Sequence, residues 1–550
     1  MQGKGIQKVK KVLGMIADKI YLLLMFGILI ATIVIDKNNK YNKFENEAGW
    51  PNAVYYLIAL VILAGLAWFY CSKKSRAISD RTFHIIILST VVFTLVLQWL
   101  ISGWVPAITS GDFGNAHNMA IKLARGGDFT GSEYYALHPN NVNLAVLLSW
   151  MFTGSWRVVI WIAAACTTFS VAMMAYVIKK VTGNRYVAVI LCVLGECLAA
   201  LNIRAFLPYS DNLAMPFIIA MFLVLFSGIR NSLKPPLIVL FAMIGAWIKV
   251  TALIPLVGIL IYCFLTSDLL GTARRVVSTF TKKGIVAGKW YLISLVLLIT
   301  IPVCGWLAGS MIKKHYNYEQ SNEARGWQFM FMVGQDESNT GQVGGSGYAK
   351  AWKQIQKDYT DRKDRLNACK DTALKWIRER GFFGNIYYYT KALNVAFNDG
   401  SFHNVQPFKS EKVDHNLIFD ILSVDGSYHK TFAGVRQVMW DFVLILLALP
   451  ILLFILRKKR SPVDLVFEIT LVGIIFYLFL FEGRSKYLYM FLPMIMAFAG
   501  IMMDHGLKVL TEGGRRKLTE AEAAASEAEP DTVEEAASEA EPDTAEETGE

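Results

Sequence analysis

Charge is scarce in this chain. Charged residues make up 18% of its 550 residues, against 54% hydrophobic, and mean hydropathy is +0.39. That balance speaks against an ordinary soluble protein. Cysteine is scarce too. Of seven, Cys166, Cys192, Cys197, Cys263 and Cys304 sit inside apolar runs, where they read as small core residues. Cys369 stands alone in a long polar segment, so no disulfide framework is implied. Cys and His nowhere show the spacing of a metal site. A Gly-rich phosphate loop and an Asp-x-Asp motif are both missing from the segments expected on the cytoplasmic side, which speaks against a nucleotide-sugar donor. Short alternating strands are missing as well, which excludes a membrane β-barrel. No small-residue cleavage site follows Ile20 to Ile35, so a cleavable signal peptide is not expected. Lys and Arg disappear altogether from Glu520 to Glu550.

What remains is a series of apolar runs. Stretches such as Ile20–Ile35 and Val54–Phe69 are long enough to cross a hydrocarbon core of about 30 Å. A backbone in lipid must satisfy its own hydrogen bonds, so each run predicts a helix. Spans are expected near 18–36, 52–71, 83–102, 158–178, 186–203, 212–229, 236–249, 250–266, 289–311, 437–456, 463–481 and 486–503. The fold class expected is an all-α polytopic membrane protein with about 12 transmembrane helices.

The net charge of +11 falls in short loops between spans. It therefore reads as topology and contact with anionic lipid rather than nucleic-acid binding. Lys8, Lys10, Lys11 and Lys19 precede the first span. Lys73, Lys74, Arg76, Arg81, then Lys179, Lys180, Arg185, and later Arg457 to Arg460 mark the same side. All the basic loops share one side if Asn141–Phe152, a dozen mostly apolar residues, lies at the interface instead of spanning. Both termini are then expected in the cytoplasm of a multi-pass plasma-membrane protein.

This topology divides the chain into N-terminal spans (1–101), an outer loop with interfacial helices (102–157), a transmembrane core (158–311), a small α-rich extracytoplasmic domain (312–436), C-terminal spans (437–503) and an acidic tail (504–550). Within the extracytoplasmic domain, Tyr348–Arg380 has helical character. In the tail, AASEAEPDT at Ala524–Thr532 recurs at Ala536–Thr544. Such a low-complexity acidic segment is expected to be disordered.

Candidate chemistry gathers in the outer segments. Asp112 follows a span and precedes an amphipathic stretch from Asn115 to Ala124. A carboxylate there can take a proton from an attacking hydroxyl, although a helix cap would account for it as simply. Tyr135-Ala136-Leu137-His138-Pro139-Asn140-Asn141 forms an aromatic turn into the interfacial segment. Asp211, after Tyr209, faces the same mouth, where a cap is again the bland alternative. Lys249 sits within an apolar hairpin, costly unless paired, lining a wet cavity or snorkelling to the surface. Arg484 and Lys486 break the positive-inside pattern. They suit a phosphate, or else an ion pair with Glu482.

At these residues the sequence resembles the GT-C membrane glycosyltransferases that use polyprenyl-phosphate sugars, in the bacterial branch related to protein mannosyltransferases and the lipid A aminoarabinose transferase. The resemblance spans most of residues 80–503. It rests on Asp112 with the Tyr135–Asn141 turn, on Tyr209-Ser210-Asp211, on Lys249 with Thr251, and on Arg484-Ser485-Lys486-Tyr487 before Pro493. Asn398-Asp399-Gly400-Ser401-Phe402 also looks like the family's outer domain. The resemblance implies a GT-C fold and an inverting transfer of a sugar from a polyprenyl phosphate to an acceptor hydroxyl on a glycan, wall polymer or protein. Asp112 would be the catalytic base. Arg484, Lys486 and Lys249 would hold the donor phosphate. Tyr135, His138, Asn140, Asn141, Tyr209 and Asp211 would shape the substrate sites. The sequence departs from the family in having a lone Asp112 between Gly111 and Phe113 where relatives show an acidic pair. Asp128, in a second Gly-Asp-Phe, is the alternative base. Val333-Gly334-Gln335-Asp336 follows the family pattern only loosely. No cofactor is expected, and a divalent metal is neither required nor excluded. A lipid-linked sugar flippase, another transporter, and a polysaccharide polymerase or ligase are the competing functions.

Overall fold

The computed structural model describes residues 2–34, 50–72, 78–105, 111–266, 303, 305, 309–402, 417–422, 426–456 and 461–527. Among these residues every regular element is helical and no strand occurs. Six helices are long and apolar enough to cross a membrane. They are α1 (Gln2–Val34), α2 (Asn52–Ser72), α3 (Asp80–Ser102), α7 (Trp156–Thr182), α16 (His429–Ile455) and α19 (Leu492–Glu527). Shorter apolar helices pack among them: α8 (Arg185–Gly195), α9 (Ser210–Phe226), α10 (Lys234–Ile248), α11 (Leu253–Thr266) and α17 (Asp464–Leu480). The expected span at 289–311 lies almost wholly outside the described residues.

Burial explains why these helices need lipid. Only 17% of the apolar window of α2 and 28% of that of α3 is buried, against 67% for α19. Leu57, Val61, Leu88, Phe93 and Val96 are exposed on the first two. An apolar surface of that extent is unsupportable in water but ordinary against acyl chains. From Leu492 to Leu507, α19 is apolar almost all round, and it packs against α7, α16 and α17 in the middle of the bundle. α9 lies between α7 and α10, while α1 rests on α17, on α16 and on the loop-domain helix α14 (Arg362–Phe397).

Polar contacts define the two ends of the bundle. At one end Asp80, which opens α3, pairs with Lys179 at 2.5 Å and with Arg185 at 2.9 Å. Asn184 donates to Asp504 at the same end (2.8 Å). The loops carrying Asp112, Asp211, Lys249 and Arg484 meet at the other end.

The stretch after Asn141 forms α6 (Val142–Met151), ten residues or about 15 Å long, which is too short to span. It packs on α4 (Gly111–Ala124). Several boundaries differ from expectation for local reasons. α8 ends at Gly195 and continues as a π-helical turn, Glu196–Ala200. The expected helix at Tyr348–Arg380 is two, α13 (Ser346–Asp358) and the first part of α14, which breaks at Gly381 (φ +63°, ψ −173°) just past the expected end. Asp361 separates them by capping the Lys363 N–H at 2.7 Å. The last expected span is interrupted after the short α18 (Lys486–Tyr489), and α19 then runs on to Glu527, into the acidic segment.

Candidate functional site

Gly111 adopts φ +59°, a left-handed conformation that suits glycine, and turns the chain into α4. This places Asp112 in the first helical turn, where free N–H groups and the helix dipole favour a carboxylate. Asp112 is exposed. The Tyr134 hydroxyl, from α5 (Glu133–Leu137), donates to its Oδ1 at 2.9 Å. The Asn141 amide in turn donates to the Tyr134 oxygen at 2.6 Å, and the Asn140 amide donates to Asn141 at 3.2 Å. The turn is thus a relay of side-chain hydrogen bonds that ends on Asp112. Burial, with Asp112 alongside, holds the Tyr134 phenol well above its ordinary range, so it remains a donor. The His138 ring lies 4.8 Å from the Tyr134 ring and 3.3 Å from Arg325. Burial and the Arg325 charge push His138 below its ordinary value and keep it neutral at pH 7. Tyr135 is buried, and its hydroxyl donates to the Asn115 carbonyl at 3.1 Å. It therefore braces the loop from inside.

The Tyr209 ring packs on Phe113 at 4.9 Å, which joins the start of α9 to α4. Asp211 is 2% exposed. It accepts a bond from Lys249 Nζ and lies 3.7 Å from Arg204. Lys249 occupies the break between α10 and α11, with extended backbone (φ −152°, ψ 116°). The ion pair with Asp211 explains how a lysine is tolerated between two apolar helices. Its ammonium also lies 5.2 Å from the Tyr487 ring centre. Arg204 is the residue sequence reasoning missed. It sits on the short 3-10 helix Ile203–Phe206, buried, with its guanidinium 5.8 Å from the Phe113 ring centre. Its signal was an arginine at the non-basic end of a span, the same break in pattern that marked Arg484.

The third group is the turn after α17. Glu482 is 2% exposed and gathers Arg484 at 3.1 Å, Lys486 at 3.5 Å and the Tyr487 hydroxyl. Burial alone would raise its carboxyl, but Lys486, Arg484 and the Tyr487 hydroxyl outweigh that and hold it at about 2. Arg484 also donates to Gln342 at 3.1 Å and to the Val343 carbonyl at 2.8 Å. It is consumed in fastening the loop domain to the bundle. Lys486, with one ion pair, is the freer cation.

These three groups meet at one mouth: Asp112 through Phe113 and Tyr209, Asp211 through Lys249, and Lys486 through Tyr487, whose ring centre lies 4.8 Å from it. Four cations (Arg204, Lys249, Arg484, Lys486) face three carboxylates (Asp112, Asp211, Glu482), leaving one net positive charge. Asp128 stands apart from them. It accepts from the Asn317 amide at 2.7 Å and the Thr130 N–H at 3.0 Å, and these bonds hold it below the usual carboxylate range. Beside the mouth lies a shallow hollow, with room for about one water, lined by Phe113, His117, Trp156, Ile160, Phe206 and Pro208. Among the described residues, no group of three or more His, Cys, Asp or Glu side chains could hold a metal ion.

The chain matches no curated protein and no solved structure. Residues 9–507 match the family described as conserved hypothetical integral membrane protein, and the chain belongs to that family.

Proposed function

We propose that this protein is an inverting glycosyltransferase of GT-C architecture. It transfers a sugar from a polyprenyl phosphate to an acceptor hydroxyl at the outer face of the plasma membrane. The observation carrying this reading is the convergence of an exposed carboxylate, Asp112, with four cations on a single mouth of an apolar bundle. In the proposal about 12 helices span, both termini are cytoplasmic and the loop domain is extracytoplasmic.

Asp112 takes the proton of the acceptor hydroxyl as that oxygen attacks the anomeric carbon. The bond from that carbon to the phosphate oxygen breaks, and the polyprenyl phosphate leaves with the electron pair. One displacement inverts the anomeric centre. Lys486 and Lys249 are placed to stabilise the charge growing on the phosphate, with Arg204 behind them. Arg484 positions this set through Glu482 and the loop domain. The Asn141–Tyr134 relay fixes the Asp112 carboxylate.

The test uses purified wild type and Asp112→Asn with radiolabelled polyprenyl-phosphate sugars and an envelope fraction as acceptor. Transfer by wild type, reduced about 10²- to 10⁴-fold in the variant with donor binding retained, is expected. Equal transfer by both would move the base elsewhere, with Asp128 the first alternative. A lipid-linked sugar flippase is the second reading. The helix break at Lys249 and the ionisable Glu196 inside the bundle favour it, since transporters are built with both features. Movement of the donor across liposomes without transfer would establish it instead.

A further inference from the structure

A second polar site lies inside the bundle, away from the mouth. The helix α8 changes to a π-helical turn at Glu196. Such turns are local irregularities that recur at functional positions. Glu196 lies roughly 16 Å along the helix from Arg185, deep in a hydrocarbon core of about 30 Å. It is 2% exposed, and neither carboxyl oxygen makes a hydrogen bond of good geometry, its hydrogen-bonding neighbours being the hydroxyls of Thr94 and Thr168.

The surroundings are rich in oxygen and poor in positive charge. Gln98, one turn from Thr94 on α3, donates its amide to the carbonyls of Ala164 at 3.1 Å and Ala200 at 2.9 Å. Its own carbonyl oxygen is left without a partner, while on α7 the Thr168 hydroxyl faces Glu196 and the Thr167 hydroxyl faces Tyr489. The titratable groups that sense the Glu196 charge are Cys192, Cys197 and Tyr489, and none is a cation. Tyr489 donates to the Ala199 carbonyl of the π-helical turn at 2.9 Å. A carboxylate this deep is costly unless neutralised. One carboxylate among neutral oxygens balances a single positive charge, and an irregular helical turn lets oxygens converge.

We propose that Glu196 is the charged ligand of an intramembrane monovalent-cation site, completed by Thr94, Thr168 and Gln98 and filled by a proton or by Na⁺. The inference is independent of the transferase reading, because the site shares no residue with the mouth.

The experiment uses the full chain in lipid nanodiscs. Thermal unfolding is followed in NaCl and in choline chloride at equal ionic strength, and the carboxylic-acid infrared band is followed against pH. A Na⁺-dependent rise in Tm in wild type that is lost in Glu196→Gln assigns the site to Na⁺. Indifference to Na⁺, with a pH-dependent acid band that Glu196→Gln removes, assigns it to a proton. Identical behaviour of wild type and Glu196→Gln in both measurements overturns the proposal. Should Glu196→Gln fail to fold, Thr168→Val and Gln98→Leu keep the carboxyl. A weakened Na⁺ response or a shifted acid band in these variants supports the site, and an unchanged one overturns it.

Discussion

Glu482 decides whether the turn before α18 can exist. It neutralises two cations in a place nearly closed to water. Removing one partner of a buried ion pair costs about 3–5 kcal/mol, chiefly because the surviving charge is stranded. Glu482→Gln is therefore expected to lower thermal stability by that order, measured by unfolding in nanodiscs. The acid dependence follows from its depressed carboxyl. Its stabilisation is complete above the unfolded value of about 4.3 and is lost as pH falls toward the folded value of about 2. Wild type should thus lose stability across that acid window and Glu482→Gln should lose less. Tyr134 acts on Asp112 through one charge-assisted hydrogen bond, worth about 1.5 kcal/mol. Tyr134→Phe is expected to lower transfer about tenfold while donor binding stays unchanged. A fall in donor affinity would instead place Tyr134 in the donor site.

At the scale of elements, the loop domain is held by backbone packed on backbone. Gly334 closes α12 (Trp327–Gly334), and a Cβ there would lie 2.3 Å from the Phe481 carbonyl oxygen and 2.6 Å from that of Leu480. Those carbonyls belong to the end of α17 and cannot turn aside as a flexible side chain could. Next to Gly334, Gln335 donates to the Phe479 carbonyl at 2.8 Å and accepts from Arg380 at 2.6 Å. Gly334→Ala should therefore part α12 from α17 at a cost of about 1–3 kcal/mol. The expected readout is faster proteolysis between residues 313 and 400 with the apolar bundle left intact. The helix break at Lys249 is held by charge instead. It turns α10 into α11 at the mouth, and it survives because Asp211 answers the lysine charge.

For the whole molecule, the ion pairs of Asp80 and those of Glu482 mark opposite ends of the bundle. Cysteines placed at Lys353, on α13 of the loop domain, and at Lys508, which pairs with Asp504 at 2.6 Å, are therefore expected on opposite sides of the membrane in the proposed topology. In a cysteine-free background, an impermeant maleimide applied to intact cells should label the first and spare the second. The reverse pattern would turn the proposed active site toward the cytoplasm. Labelling of both would break the topology.

The apolar runs by themselves determined a helical membrane protein, because a lipid-exposed backbone has few other ways to satisfy its hydrogen bonds. The ends of α2, α3 and α17 were legible for the same reason, as was the split hairpin at Lys249. Asp112, Asp211, Lys249, Arg484 and Lys486 stood out because charge is rare in such a chain and theirs falls away from the basic loops. Only the tertiary structure decided their partners. It joined Asp112 to Tyr134 across a turn, Asp211 to Lys249 and to the unforeseen Arg204, and Arg484 to Gln342 and Val343 of a distant loop. It also set Glu196 among the oxygens of three helices. Periodicity places a residue on a face of its own helix, whereas pairing depends on how helices far apart in the chain are packed, which no local pattern records.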